Sequence, residues 1–430
     1  MRIVIVVGVF PPEPEPTAVM ASELARNWSL SGHTVTVICP FPNRPLGTIY
    51  PGYKRRLWQR TESENVHVLR VWSWFLGPKR HIVNRFIENI SYGISSSIAL
   101  LFLKKPDFII MNTWAIFAQL GIVVTSKLRN LRVVNYVQDL FPEAISAGGF
   151  IGKKGILENL LLDVDNKICG LAVCTVVVSE RMKEVVIKTR KDSSGKVYVI
   201  HNWLDLQFIK PFEGQNNWRA EVGIPRDEIV FMFAGTMGFA SGVDILIEVA
   251  EILRSNPKIR IVCVGEGILK AMLLREQKAR HLSNLTILGF QPRERVNEVQ
   301  SAADAMLLIT SPGMGASSVP SKLITYLAIG KPVLCAVDET SEIAHLVKTN
   351  DIGLVVAPGD ARKISEGIVK LASMDSESLY HKGLKAREIA LQMYSLPRAL
   401  RDFDNLFEEI LTEGKVISSR LDYSRRDDPM

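Results

Sequence analysis

Short β-branched runs, several of them ending in glycine, recur along this 430-residue chain with helix-length stretches between them. "RIVIVVG" (2–8) reads as a buried strand. Thr17 then caps a helical pattern over 18–31 that Gly32 closes. "HTVTVIC" (33–39), "VHVLRVW" (66–72), "FIIMN" (108–112), "RVVNYVQD" (132–139), "TVVVS" (175–179) and "KVYVIHN" (196–202) continue the series, with a helix expected near 114–130. Strand alternating with helix predicts a parallel, doubly wound α/β sheet.

A second series starts after residue 225. "IVFMFAG" (229–235) precedes a helix expected at about 242–254, and "IRIVCVGEG" (259–267) ends in a Gly-rich turn. "LTILGF" (285–290), "AMLLIT" (305–310), "PVLCAV" (332–337) and "GLVVAP" (353–358) follow. The length suits two cores, and "WLDLQFIKPFEGQNN" (203–217), punctuated by Pro and Gly, reads as the linker. Two such sheets in tandem leave a cleft, with ligands expected beyond the carboxyl ends of the strands.

Composition narrows the class. A hydrophobic content of 47% with 23% charged residues is that of an ordinary soluble protein. The apolar run at the N-terminus is too short to span a bilayer and lacks a small-residue cleavage site, and no later stretch is long enough to cross. Cysteines 39, 169, 174, 263 and 335 show no C-x-x-C and no metal spacing, so they read as reduced, buried thiols of a cytosolic protein. The seven histidines form no H-E-x-x-H. There is no G-x-x-x-x-G-K-[ST], which argues against a nucleoside-triphosphatase loop. The charge is uneven: residues 1–210 hold 26 Lys and Arg against 16 Asp and Glu (+10), and residues 211–430 hold 26 against 29 (−3), giving the +7 of the whole. A basic first half suits an anionic surface.

Three glycine-rich or proline-opened turns stand out, all in the second half. Gly235, Gly238 and Gly242 surround a strand-to-helix turn, where backbone N–H groups can meet a phosphate. Gly265 and Gly267 form a second turn; Lys270 breaks its G-x-G-x-x-G pattern, which removes the case for a nicotinamide oxidoreductase. "VPSKLITYLAIGKPVL" (319–334) opens a helix at Pro320-Ser321 and puts Lys322 on its first turn. A first turn ordinarily favours acidic side chains, so a lysine there points to an external anion. In the first half, "NYVQDLFPEA" (135–144) places Asp139 at a strand end and Glu143 just after Pro142; each reads equally as a cleft carboxylate or a helix-start acid. "RVWSWFLGPKRHIVNRFIENI" (70–90) mixes Trp72, Trp74 and Phe75 with Lys79, Arg80 and Arg85, a combination suited to an anionic membrane interface; no nucleic-acid motif accompanies it.

Taken in order, "GVFPPEPEPTAVMASELARNWSLSGHTVTVICPFP", "YVQDLFPEA", "VIHNWLD", "FAGTMGFASGVDILIEVA", "VGEGILK" and "PSKLITYLAIGKPVL" resemble the successive signatures of family 4 glycosyltransferases over about residues 1–410. Within that family they are similar to the branch building bacterial O-antigen and capsular sugars, including N-acetyl-fucosamine transferases. The resemblance implies the GT-B architecture: two Rossmann-like doubly wound domains, a cleft between them, and a C-terminal helix crossing back to the first. An acceptor-binding domain over 1–205 is expected, with a returning helix at about 395–411, a donor-binding domain over 211–394 and a polar tail over 412–430.

The same resemblance implies a retaining, metal-independent transfer from a UDP-sugar to a polyprenyl-diphosphate-linked saccharide, at the inner face of the plasma membrane and without a cofactor. Donor contacts are expected from Gly235, Thr236, Met237, Gly238, Gly265, Glu266, Gly267, Phe290, Gln291, Ser321, Lys322 and Thr325, and catalytic roles from Asp139, Glu143 and Lys322. Departures from the family pattern shape these expectations. Ser318 and Thr325 stand where many members have a glutamate pair, and Ser241 stands where many have a basic residue. Lys322 becomes the expected partner of the diphosphate. Glu15-Pro16-Thr17 replaces a frequent Gly-Gly, and Gln138 or Asp139 stands where a histidine is often found. The alternatives are an isomerase resembling UDP-N-acetylglucosamine 2-epimerase, and a non-catalytic nucleotide-sugar-binding protein.

Overall fold

In the computed structural model, which describes all residues except 45–46, 75–81, 113–115, 141–154, 191–195, 313–319 and 425–430, contacts divide the chain into two units. One comprises Met1–Ile200 with Leu400–Met430, the other His201–Ala399.

The first unit is built on β1 (Arg2–Val7), β2 (Thr34–Pro40), β3 (Trp58–Ser63), β4 (Val66–Val71), β5 (Phe108–Asn112), β6 (Val133–Val137), β7 (Cys174–Val177) and β8 (Val197–Val199), in the order β3-β4-β2-β1-β5-β6-β7-β8. Its helices are α1 (Pro16–Leu30), α2 (Ile82–Phe102), α3 (Ile116–Leu128), α4 (Ile156–Leu171) and α5 (Glu180–Thr189). The apolar runs predicted the parallel strands because strands covered on both faces are continuously apolar. β3 is a strand that this pattern does not reveal. Its sequence WQRTES is polar because it pairs antiparallel with β4 alone, at the sheet edge, and stays largely exposed.

The second unit contains β9 (Ile229–Ala234), β10 (Ile259–Val264), β11 (Leu285–Leu288), β12 (Ala305–Ile309), β13 (Val333–Ala336) and β14 (Gly353–Val356), all parallel, in the order β11-β10-β9-β12-β13-β14. Its helices are α6 (Trp218–Glu221), α7 (Leu246–Ile252), α8 (Lys270–Ala279), α9 (Val296–Ser301), α10 (Ser321–Ala328), α11 (Glu342–Thr349), α12 (Ala361–Ala372) and α13 (Ser376–Met393). The helix expected over 242–254 is shorter. Gly242 takes a left-handed φ of 58°, 3₁₀ turns precede and follow α7, and regular helix is confined to Leu246–Ile252.

The chain then returns through α14 (Leu396–Ser424), which extends beyond the expected end at 411. In the first unit Trp28 Nε1 donates to Asp404 at 3.1 Å, the Trp28 ring meets Phe403 and Phe407, and Phe407 stacks on Phe108 at 4.4 Å. These four aromatic side chains are almost wholly buried, each worth a substantial transfer free energy. The segment read as a linker is held down on the second unit. Leu204 N donates to Tyr394 O at 3.0 Å, and Arg387 of α13 donates to the carbonyls of Leu206, Ile209 and Ala328 at 2.7–2.9 Å. All five cysteines are buried free thiols.

Candidate functional site

In the second unit the chain runs outward from β9 to β10 and β11, then crosses to β12 on the other side of β9. β9 and β12 therefore flank a topological switch point, where the loops beyond the strands part and leave a crevice. The turn after β9 and the helix after β12 meet there.

Close packing of the turns requires their glycines. Gly235 N donates to Val264 O at 2.9 Å, and Met237 N to Glu266 O at 2.8 Å, so the turn after β9 is laced to the turn after β10. A Cβ on Gly265 would lie 2.0 Å from Gly235 O, and one on Gly267 would lie 2.3 Å from Met237 O. Both neighbours are backbone, so neither glycine can be replaced without moving a turn. Gly238 is different: its surroundings are open and nothing in the packing demands glycine.

Lys322 enters from the first turn of α10. Its Nζ donates to Thr236 O at 3.2 Å and lies 4.3 Å from the centroid of the Phe233 ring. A Cβ on Gly235 would fall 2.3 Å from Lys322 Cε; the glycine leaves the groove in which the lysine lies. Burial pushes the ammonium pKa down to about 8. Among the described residues, the salt bridges include no carboxylate partner for it. A carbonyl and an aromatic face hold it meanwhile. α10 begins after an extended Pro320, with no side chain capping its first turn. Its N–H groups and the ammonium thus combine positive potential at one point.

The register of α10 is set by Tyr326. Its buried hydroxyl accepts from Ala234 N at 3.0 Å and donates to Ala234 O at 2.8 Å, tying the helix to the end of β9. Thr325 donates its hydroxyl proton back to Ser321 O at 3.1 Å, and Ser321 is exposed. Glu266 joins the next turn: its Oε1 accepts from Lys270 Nζ at 2.5 Å and from Phe290 N at 3.3 Å, and the Lys270 hydrogen bond holds its carboxyl below the ordinary value. The Phe290 ring is 73% exposed, and Gln291 donates to Gly289 O at 3.2 Å. Ser241, at the position where many family members have a basic residue, donates to Gly238 O at 2.6 Å and so closes its own loop. The twelve donor-site candidates therefore lie on the turns after β9, β10 and β11 and on α10. Ser318 lies outside the described residues.

The first unit presents its own strand ends. Asp139 follows β6; its side chain keeps an exposed surface, while desolvation by surrounding protein raises its carboxyl above the usual range. Gln138 accepts from the Thr17 hydroxyl at 2.9 Å. Glu143 lies outside the described residues, as do Phe75, Lys79 and Arg80. Trp72 and Trp74 meet edge to face at 6.0 Å. Sequence reasoning missed Glu13. Its buried carboxylate accepts from the backbone N–H groups of Phe10, Asn43 and Arg44 at 3.2, 3.0 and 2.9 Å and so joins the loops after β1 and β2. Burial raises its carboxyl despite those three donors. The only local signal was an acid inside a proline-rich loop. Among the described residues no group of His, Cys, Asp and Glu could hold a metal ion.

Comparison with known proteins follows the same division. The family model described as Glycosyltransferase Family 4 matches residues 17–208, and that described as Glycosyl transferases group 1 matches residues 214–386. The chain is 23% identical to the putative colanic acid biosynthesis glycosyl transferase WcaI of Escherichia coli K12, over 94% of this chain and 98% of that protein. It is 23% identical to the probable glycosyltransferase WbjE of Pseudomonas aeruginosa, over 79% of this chain and 84% of that one. Among solved structures, Anabaena Alr3699/HepE in complex with UDP superposes with a TM-score of 0.70 at 14% identity, covering 95% of this chain and all of that one. With two doubly wound units matched in order by both family models, this chain belongs to the family 4 glycosyltransferases of the GT-B fold.

Proposed function

We propose that the protein transfers a sugar, an N-acetylated hexosamine or deoxyhexosamine, from a UDP-sugar to a polyprenyl-diphosphate-linked saccharide during surface polysaccharide synthesis. The observation that carries the donor side is Lys322, whose ammonium is held at the β9/β12 switch point beside the uncapped start of α10. That combination suits a diphosphate without a metal. UDP bound to the fold-related Anabaena protein supports the nucleotide, and the colanic acid role in the name of the Escherichia coli relative supports the pathway class.

In the proposed reaction the bond from the anomeric carbon to the diphosphate oxygen breaks while the acceptor hydroxyl forms its bond on the same face. The hydroxyl proton passes to the departing phosphate oxygen. Lys322 and the α10 N–H groups stabilise the charge that develops there, which is the term most worth preorganising. Asp139 and Glu143 orient the acceptor. The acceptor is lipid-linked, so the protein works at the cytoplasmic membrane face as a peripheral protein; no described helix is long and apolar enough to cross a membrane.

A thermal-shift panel of nucleotide-sugars tests the donor class, since a ligand bound by the native state raises the melting temperature by mass action. UDP-linked N-acetylated sugars should give the largest shifts with chelator present. Shifts from other nucleotides alone, or a requirement for a divalent ion, would overturn it.

A further inference from the structure

The helix layer of the first unit is apolar on its outer side as well as in its core, where Tyr92, Leu100, Ile116, Ile122 and Val123 are buried. A helix on the surface of a water-soluble protein faces its apolar stripe inward. α2 buries Tyr92 and Leu100 with the small residues Ser91, Gly93 and Ser96, and exposes Ile87, Ile90, Ile94, Ile98, Leu101 and Phe102. Ile94, Ile98 and Phe102 are 57%, 50% and 80% exposed. The small residues let the helices approach: a Cβ on Gly93 would lie 2.7 Å from Ala118 Cα, and one on Gly121 would lie 2.9 Å from Ser97 Oγ. α3 buries Ile116, Ile122 and Val123 together with Gln119, Thr125 and Ser126, and it too exposes apolar side chains, Val124 and Leu128. No charged residue occurs on α2 after Glu88. A contiguous apolar surface of this kind marks an interaction site.

The rim is cationic. Arg55, Arg56 and Arg60 lie beside exposed Leu57 and Trp58 at the β3 edge, and Lys104 and Lys105 follow the end of α2. No acidic residue occurs between Arg44 and Arg60, or between Ile90 and Pro106. An apolar groove of about 430 Å³ lies between β3, β4 and α2, lined by Leu57, Trp58, Trp72, Ile98 and Phe102. It shares Arg60, Leu69 and Phe102 with a second pocket, of about 640 Å³, lined by Arg2, His67 and Lys104.

We infer that this α2/α3 face docks the protein on an anionic phospholipid leaflet, with the isoleucine stripe in the acyl boundary and the basic rim on headgroup phosphates. The helices lie in the interface and do not span it. A second copy is the poorer occupant, because two-fold pairing would set one basic rim against the other. The inference rests on the membrane-side reading of the acceptor above, and it extends the contact from the 70–90 stretch, whose Trp72 lines the groove, to α2, α3 and the β3 edge.

The experiment is flotation of the full chain with vesicles of phosphatidylcholine alone, or of equal parts phosphatidylcholine and phosphatidylglycerol, at low and high salt. Wild type should float with the anionic vesicles at low salt and be released by high salt. Arg56→Glu/Lys105→Glu should bind them more than about tenfold more weakly, since each basic residue near the leaflet contributes about 1 kcal/mol, or about fivefold. Ile94→Gln/Ile98→Gln, a neutral change at exposed positions, should also lose at least about tenfold. Both variants should keep the wild-type melting temperature and UDP-induced shift. If wild type floats and both variants float equally well, this face is wrong while membrane association stands. If wild type floats with neither vesicle, the face and the membrane-side reading both fail. A lipid-free dimer that Ile94→Gln/Ile98→Gln dissociates would overturn the inference in favour of a contact between copies.

Discussion

Gly235→Ala should disable the donor site through Lys322 without touching it. The new methyl carbon would stand 2.3 Å from Lys322 Cε, 3.0 Å from Cδ and 3.2 Å from Nζ. Those atoms belong to the far end of a flexible side chain, so the lysine is displaced and the sheet is not. The φ of +143° at this position disfavours any side chain, at roughly 1–3 kcal/mol. In a unit of this size that lowers the melting temperature by several degrees. The ammonium leaves its place over Phe233, and with it should go the proposed charge-assisted hydrogen bond to the diphosphate, worth roughly 1.5–3 kcal/mol. UDP affinity should therefore fall about ten- to hundredfold, as it should in Lys322→Ala. The informative quantity is the double variant. If Gly235 acts only through Lys322, Gly235→Ala/Lys322→Ala should bind UDP no worse than either single change, where independent effects would multiply. Calorimetric titration of UDP with chelator present measures all four proteins. Multiplying losses, or wild-type affinity in Gly235→Ala, would refute the reasoning.

Lys322→Met should stabilise the free protein at neutral pH. The lysine's pKa is lowered to about 8 in the fold, so the unfolded chain binds the extra proton between about pH 8 and 10.5. Wild-type stability should therefore rise over that window, by at most about 3 kcal/mol, and the variant should lack the rise in thermal melts. UDP affinity of the wild type should fall above pH 8 by up to about tenfold per unit as the free enzyme loses this proton, and Lys322→Ala should show no such fall. Tyr326→Phe should strand the Ala234 N–H and C=O, costing roughly 1–3 kcal/mol, and should weaken UDP binding as α10 loses its register. Glu13→Ala should leave the backbone N–H groups of Phe10, Asn43 and Arg44 without their acceptor and lower the melting temperature, while UDP affinity stays at the wild-type value.

Strand positions were legible because both sheets are covered on each face, so their central strands are unbroken apolar runs. β3 was not, since an edge strand with one neighbour has no need of an apolar pattern. The three turns after β9, β10 and at α10 were visible as glycines and an odd lysine, but the reason for each glycine was not. Gly265 and Gly267 answer to backbone atoms of another turn, Gly235 answers to Lys322, and Gly238 answers to nothing. Periodicity also could not say which side of α2 faces inward. Its isoleucines and serines alternate with helical spacing either way, and the burial of Tyr92 and Leu100 with the approach of Gly93 to Ala118 decides the matter. Glu13 was out of reach because its three donors come from two loops that only the fold brings together.

The most direct test of the account is the affinity of wild type and Lys322→Ala for UDP, measured by calorimetry at pH 7 with chelator present. The account predicts metal-free binding by wild type and a loss of about ten- to hundredfold in the variant. Equal affinities, or wild-type binding that appears only when a divalent cation is added, would contradict it.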